Sequence, residues 1–440
     1  MIRKCLGFFL ALGLGLFVAL PAAQAQLSAQ ERDRQQRVDE LERRLKILAD
    51  ELESLKTKLA LPEKAEYKSL YGLGPAASKV YGIERGLSLG GYGEANFSLL
   101  TDDKLLSKDT FDFVRFVLYT GYKFTDRILL NAEIEFEHAK TGSTVSGGGG
   151  EVEIEFAYLD FRLVDEANIR AGLVLIPMGF LNEIHEPPFY FGNKRPEVES
   201  RIIPTTWRSN GAGLYGTLLP GLDYRTYGVT SFNARGFTNA GPRGGRQSGN
   251  REFGEDFAWT GRLDYTGLPG FLLGGSWFWG NTGQDQDFAG RKVDANLFLY
   301  DFHAQYQFRG LHLRGLFAQG HLSDAKEVNL QVSAASRPIA ERIWGAYGEV
   351  AYDLLPLLFP GTKQSLSPFV RYEWLNTQAD LPSGVTRAQQ RDVARDTRVT
   401  NVGLSYKPIP NVVIKLDYRN LDPDRGKIAD EFNVGFGFVF

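Results

Sequence analysis

Two hydrophobic periods divide the chain. Val38, Leu41, Leu45, Leu48, Leu52, Leu55 and Leu59 recur at spacings that alternate three and four. That spacing keeps one apolar seam on an α-helix and leaves charged residues on its other faces. So narrow a stripe suits self-association, though a single helix could also lay it on the rest of the chain. Pro62 and the glycine-containing stretch Tyr71 to Pro75 mark the helix end and a linker.

From about residue 86 the period falls to two. Asn131, Glu133, Glu135 and Glu137 alternate with Leu130, Ala132, Ile134 and Phe136. Glu151, Glu153 and Glu155 interleave with Val152, Ile154, Phe156 and Tyr158, and Lys415, Asp417 and Arg419 with Val412, Ile414, Leu416 and Tyr418. A strand with one apolar and one charged face has its faces in different solvents. Breaks rich in Gly, Pro and charge predict strands over 87–99, 110–124, 127–140, 151–163, 167–176, 209–218, 222–233, 255–266, 271–281, 291–308, 311–323, 341–354, 365–377, 396–407, 411–421 and 431–440. The connections alternate between short links such as Arg309-Gly310 and long segments such as 177–208 and 234–254. The expected fold is all-β, a 16-stranded antiparallel transmembrane β-barrel preceded by a short N-terminal coiled-coil helix.

Two features point to lipid outside the barrel. Trp277, Trp279, Phe302, Trp344, Tyr372, Trp374 and Tyr418 stud the apolar face near strand ends, as interfacial girdles require. The last predicted strand puts Phe432, Val434, Phe436, Phe438 and Phe440 on one face, an aggregation hazard in water but suited to a barrel strand facing lipid. The first 25 residues read as a signal peptide: Arg3 and Lys4, then an uncharged apolar stretch to Leu20, then small residues ending at Ala25. Residues 26–62 are then a periplasmic coiled-coil helix, 63–85 a linker and 86–440 an outer-membrane barrel.

The 440 residues include one cysteine, so neither a disulfide scaffold nor a cysteine zinc site is expected. A formal charge of −3 gives no reason to expect a nucleic-acid partner. No histidine belongs to an H-E-x-x-H motif, and no catalytic residue, metal or cofactor is assigned. A barrel this wide leaves a water-filled lumen unless something plugs it. Strand parity turns Arg115, Lys123, Glu133, Glu135, Arg170, Arg225, Arg262, Arg314, Arg371 and Lys415 toward that lumen, as simple solvated wall or as selectivity elements. The segment 177–208 is too long for a hairpin link and is a candidate constriction loop. It carries Glu183, Glu186, Glu197 and Glu199 against Lys194, Arg195, Arg201 and Arg208, with His185 and Trp207. An outer loop held by its own ion pairs is the alternative.

Several stretches carry a family resemblance: Tyr122-Lys123-Phe124-Thr125-Asp126, Tyr158-Leu159-Asp160-Phe161, Ile169-Arg170-Ala171-Gly172, Pro177-Met178-Gly179-Phe180, and Pro204 through Trp207-Arg208 to Gly213. In these the chain resembles the phosphate-selective porin O and P family of bacterial outer-membrane porins. The resemblance implies a trimer, with Val38 to Leu59 as the trimerisation seam on the periplasmic side. It also implies passive diffusion of small hydrophilic solutes and ions, including anions such as phosphate. Residues 86–440 carry 36 basic and 42 acidic side chains, which works against a strong anion bias. Two other functional classes stay open: a barrel hydrolase, whose Ser and His would have to converge from distant positions, and a structural protein tethering the envelope through its helix.

Overall fold

The computed structural model describes residues 34–51, 70–101, 108–143, 149–332, 338–384 and 395–440. The expected signal segment and seam residues Leu52, Leu55 and Leu59 lie outside these. The chain divides into two units, Met1–Tyr67 and Lys68–Phe440. In the first, residues 34–51 are α-helical, and Val38, Leu41, Leu45 and Leu48 are 42–64% exposed.

The second unit is a closed antiparallel barrel of sixteen strands. They are β1 Gly86–Leu100, β2 Thr110–Lys123, β3 Ile128–Glu137, β4 Val152–Val164, β5 Ala167–Leu175, β6 Arg208–Leu219, β7 Leu222–Thr230 and β8 Phe257–Tyr265. They continue as β9 Phe271–Gly280, β10 Leu297–Phe308, β11 Leu311–Leu322, β12 Arg342–Tyr352, β13 Ser365–Asp380, β14 Asp396–Ile409, β15 Val412–Pro423 and β16 Glu431–Val439. Each strand pairs with its sequence neighbours, and β16 closes on β1 in a register running from Tyr92↔Val439 to Leu100↔Glu431. Gly91 and Phe440 exchange two backbone hydrogen bonds of 3.0 and 2.9 Å at the foot of this seam.

The period-two pattern thus places all sixteen strands. Strand β10 starts at Leu297 rather than 291, because residues 294–295 bond loop partners instead: Asp294 O accepts from Thr282 N, and Ala295 N donates to Asp324 Oδ2. Arg208 belongs to β6 rather than to the long loop before it. At the Arg309-Gly310 link both residues have positive φ, 47° and 87°, the twist a two-residue hairpin needs.

Outward-facing side chains form an apolar surface that includes Leu89, Trp259, Trp279, Phe302, Tyr372, Val434 and Phe436, all exposed. An exposed apolar wall this extensive suits hydrocarbon, not water.

Parity fails at one point that matters for the lumen. Glu133 pairs with Phe156, but Ile134 pairs with Ile154, so Glu155 is an extra residue in a β-bulge. The bulge turns Glu155 and Phe156 inward together and carries Tyr158 with them; all three are buried. Phe156 and Tyr158, expected on the apolar outer face, therefore lie inside.

The segment expected as a linker also enters the lumen from residue 70 onward. Leu73, Ala76, Ala77 and Val80 are buried, and a short helix, Lys79–Gly82, packs its Val80 where Gly121 leaves room. Asn131 Nδ2 donates to Ala77 O at 2.9 Å, and Arg162 donates to the Tyr71 hydroxyl at 3.0 Å.

Candidate functional site

Between β5 and β6 the chain turns into the barrel and crosses it. Asn182 holds the root of this loop: its Nδ2 donates to Ile176 O and Trp207 O, at 2.6 and 2.8 Å, and its Oδ1 accepts from Trp207 N at 2.6 Å. Trp207 stacks on Phe232, centroids 4.5 Å apart, and touches Phe278. Ile176, Met178, Leu181, Val198, Ile202 and Ile203 are almost wholly buried, so the loop carries an apolar core of its own. Burial of each such side chain contributes about 1.5–3 kcal/mol.

From that root the loop touches the wall nearly all round. Glu183 pairs with Arg225 of β7 at 3.0 Å and approaches Arg262 of β8 at 3.7 Å. His185 Nε2 lies 3.3 Å from Glu133 of β3 and 3.2 Å from Glu155 of β4. Glu186 accepts from Ala76 N at 3.1 Å. Tyr190 donates to Glu94 of β1 at 2.7 Å, and the Lys415 ammonium sits 3.6 Å above its ring. Lys194 pairs with Glu431 of β16 at 2.7 Å. Glu197 pairs with Arg201 at 2.8 Å and with Arg419 of β15 at 2.6 Å. Glu199 accepts from the Tyr347 hydroxyl at 2.6 Å. Arg208 pairs with Glu153. Arg195 lies among Arg115, Tyr92, Tyr190 and Glu94. A second loop, between β7 and β8, reaches the first: Arg246 donates to Thr206 O at 2.5 Å, and Asn239 O accepts from Thr377 of β13.

The ten wall residues named from parity all point inward. Arg115 pairs with Glu94 and Glu135 at 2.8 and 2.9 Å. Lys123 donates to Ile83 O at 2.7 Å. Arg170 pairs with Asp160 at 2.9 Å and lies between the Tyr158 and Tyr215 rings. Arg225 and Arg262 share Asp264, each at 2.7 Å. The cross-strand register then aligns Gln305, Arg314, Glu349, Arg371, Asn401, Arg419 and Glu431, one from each strand of β10 to β16. Half the wall therefore carries one belt of alternating charge and amide, and the loop lies on it. Arg371 donates to Phe191 O and Lys194 O, each at 3.1 Å.

Sequence parity missed several partners. Glu94, Tyr190, Tyr347 and the Asp301–His303 pair, which bonds on to the parity-expected Asp264, are all buried in contacts that join distant positions. Charged residues on the inward parity of β1 and β10 were the available signal.

Toward the short-link end the lumen opens into a cavity of about 1020 Å³. Arg225, Arg262, Arg309, Arg314 and Lys407 line it against Glu183, Asp223 and Asp264. The acids Glu183 and Asp264 are engaged by Arg225 and Arg262, whereas Arg314 donates to Phe189 O and Gln305, and Lys407 to Pro188 O. The arrangement can hold water and small polar solutes beside two cations that are bonded to carbonyl and amide oxygens rather than to carboxylates.

No protein-family model matches the chain. An uncharacterised protein of Aquifex aeolicus (strain VF5) is 37% identical over 398 residues, spanning 88% of this chain and 87% of that protein. Among solved structures the barrel is similar to Salmonella typhi OmpF in complex with daunomycin, with a TM-score of 0.54 and 14% identity over 81% of this chain and 98% of that one. It is also similar to an anion-selective porin from Comamonas acidovorans, with a TM-score of 0.51 and 12% identity over 81% of this chain and all of that one. These likenesses show a porin-type barrel fold.

Proposed function

Because the chain belongs to one family with the uncharacterised Aquifex aeolicus protein and folds as a porin-type barrel, we propose that it is an outer-membrane porin. It passes small hydrophilic solutes and ions down their gradients through a constriction made by loop 176–207. The observation that carries this reading is the loop itself, which crosses a sixteen-stranded barrel and binds its charged inner wall while the outer wall stays apolar. Charged groups at a narrow point act on passing ions over short distances in low dielectric, and so set selectivity.

The cavity supports a mild anion preference despite the acidic total. Its lining has five basic and three acidic residues, and the oxygens that Arg314 and Lys407 bond are neutral. Phosphate is the anion suggested by the resemblance to the porin O and P family. The exposed seam Val38 to Leu48 supports association through the helix, with a homotrimer as the proposed state. Residues 1–25 serve export, and the helix lies in the periplasm.

Conductance of the refolded protein in a planar bilayer across a KCl gradient tests this. Discrete steps with a reversal potential toward the chloride equilibrium value are expected, and phosphate should reduce the current. A cation-leaning potential overturns the anion preference. Absence of steps from folded, inserted protein overturns the pore and leaves the hydrolase and tether readings. Against a hydrolase built on His303, both its ring nitrogens already face aspartates, Asp301 at 2.6 Å and Asp264 at 2.9 Å, so neither is turned toward a nucleophile.

A further inference from the structure

Where the loop meets β3 and β4, three metal-ligating side chains converge. One ligand atom each from Glu133, Glu155 and His185 lies within 4.8 Å of the others. We propose that these residues form a binding site for a divalent transition-metal cation of the zinc class, which fastens the loop to the wall.

Four observations converge on this. Acids crowd together: Glu133, Glu155 and Glu186 are buried there, and the nearby Arg208 gives its short ion pair to Glu153 and stands 3.7 Å from Glu155. Burying carboxylates is costly unless a cation compensates them. Oxygens are left over as well, since Glu133 Oε2 and Glu186 Oε2 are both buried without a hydrogen-bond partner. A native buried oxygen in that state calls for an ion or a water.

The third observation is spacing. His185 Nε2 sits 3.3 Å from one carboxylate and 3.2 Å from the other. A single proton on Nε2 can lie along only one of these directions. Ligands on a tetrahedral zinc at ~2.0–2.1 Å are separated by about 3.4 Å, almost the two spacings from the imidazole, and the two carboxylate oxygens lie within 4.8 Å of each other. The fourth observation is the bulge. Without the extra residue at Glu155, the parity that points Phe156 inward would turn Glu155 outward; the bulge lets both face the lumen beside Glu133. Mixed imidazole and carboxylate donors suit zinc and its first-row neighbours better than calcium or magnesium, which take oxygen ligands.

Calorimetric titration of EDTA-treated, refolded full-length protein with zinc chloride tests the site. One cation per protomer with micromolar or tighter affinity is expected. Glu133→Gln and His185→Gln, each near the original size, should weaken binding at least tenfold while the folded barrel persists. Cobalt(II) gives a readout on the wild type alone, so the test stands even where a variant fails to fold: a four-coordinate visible spectrum displaced by zinc is expected. Absence of stoichiometric binding, binding unchanged in folded variants, or a six-coordinate hydrated cobalt spectrum would each overturn the proposal.

Discussion

Arg371 Nη1 lies 3.2 Å from Glu349 Oε2 across the β12–β13 pair, with both side chains sealed from solvent. The same guanidinium meets Glu373 at 3.0 Å and reaches the loop carbonyls of Phe191 and Lys194. One side chain therefore bonds two wall acids and anchors the loop that crosses the barrel. Arg371→Met should cost about 3–5 kcal/mol, because it leaves buried charge uncompensated. It should also free the loop, so a lower melting temperature in detergent should accompany larger, noisier conductance steps.

Selectivity should reside in the two cavity cations that bond neutral oxygens. Replacing Arg314 and Lys407 together with Gln keeps polar contact with Phe189 O and Pro188 O but removes two positive charges. The reversal potential should move toward the cation side, with step size changed less than twofold. An unmoved potential would place selectivity elsewhere in the lumen.

The lipid-facing surface makes a sharper demand. Val434 of β16 is exposed on the outer wall, next to Phe432 and Phe436 on the same face. Val434→Arg should destabilise the barrel by about 2–4 kcal/mol in bilayers if this position lies near the midplane. In a water-soluble barrel the same change at an exposed site would be nearly silent. Urea unfolding in lipid vesicles distinguishes the two.

The loop joining β15 to β16 should confer acid sensitivity on the closing hairpin. Burial pushes the Asp430 carboxyl up, but hydrogen bonds from Tyr418 at 2.6 Å, from Leu421 N at 3.0 Å and from Asn420 at 3.1 Å outweigh it and hold the group below the usual aspartate value. A carboxyl depressed in the folded state contributes stability above its unfolded pKa of ~4, and that contribution is lost as pH falls through the folded pKa. Asp430→Asn should therefore flatten the stability profile below about pH 4 and leave the neutral-pH channel intact. Melting temperatures across that range would show it.

What could be read from the sequence follows from which contacts are local. Alternation of neighbours such as Ile134 and Glu135 is local, and it located the sixteen strands. The Glu155 bulge is one residue of extra backbone, invisible to a strict period of two, so Phe156 and Tyr158 were turned to the wrong side. The loop's charges were visible, but their partners were not. Tyr190 meets Glu94 across 96 positions and Arg371 meets Phe191 across 180, and those pairings depend on barrel curvature. Residues 70–83 looked like a connector because their few apolar side chains have no period. Their value comes from the hollow at Gly121 and from Asn131, which no local pattern reveals.

The β1–β16 seam bears on how such a protein is made. Residues 86–100 find their second partner only in residues 431–439, so the earliest strand to be synthesised waits for the latest. Until then two rows of backbone donors and acceptors are open, and hydrocarbon cannot satisfy either. Insertion is therefore expected to be all-or-none, with the unfinished chain kept out of the bilayer. A lesion in the last ten residues should then act as an assembly defect that abolishes the whole barrel rather than trimming one wall of it.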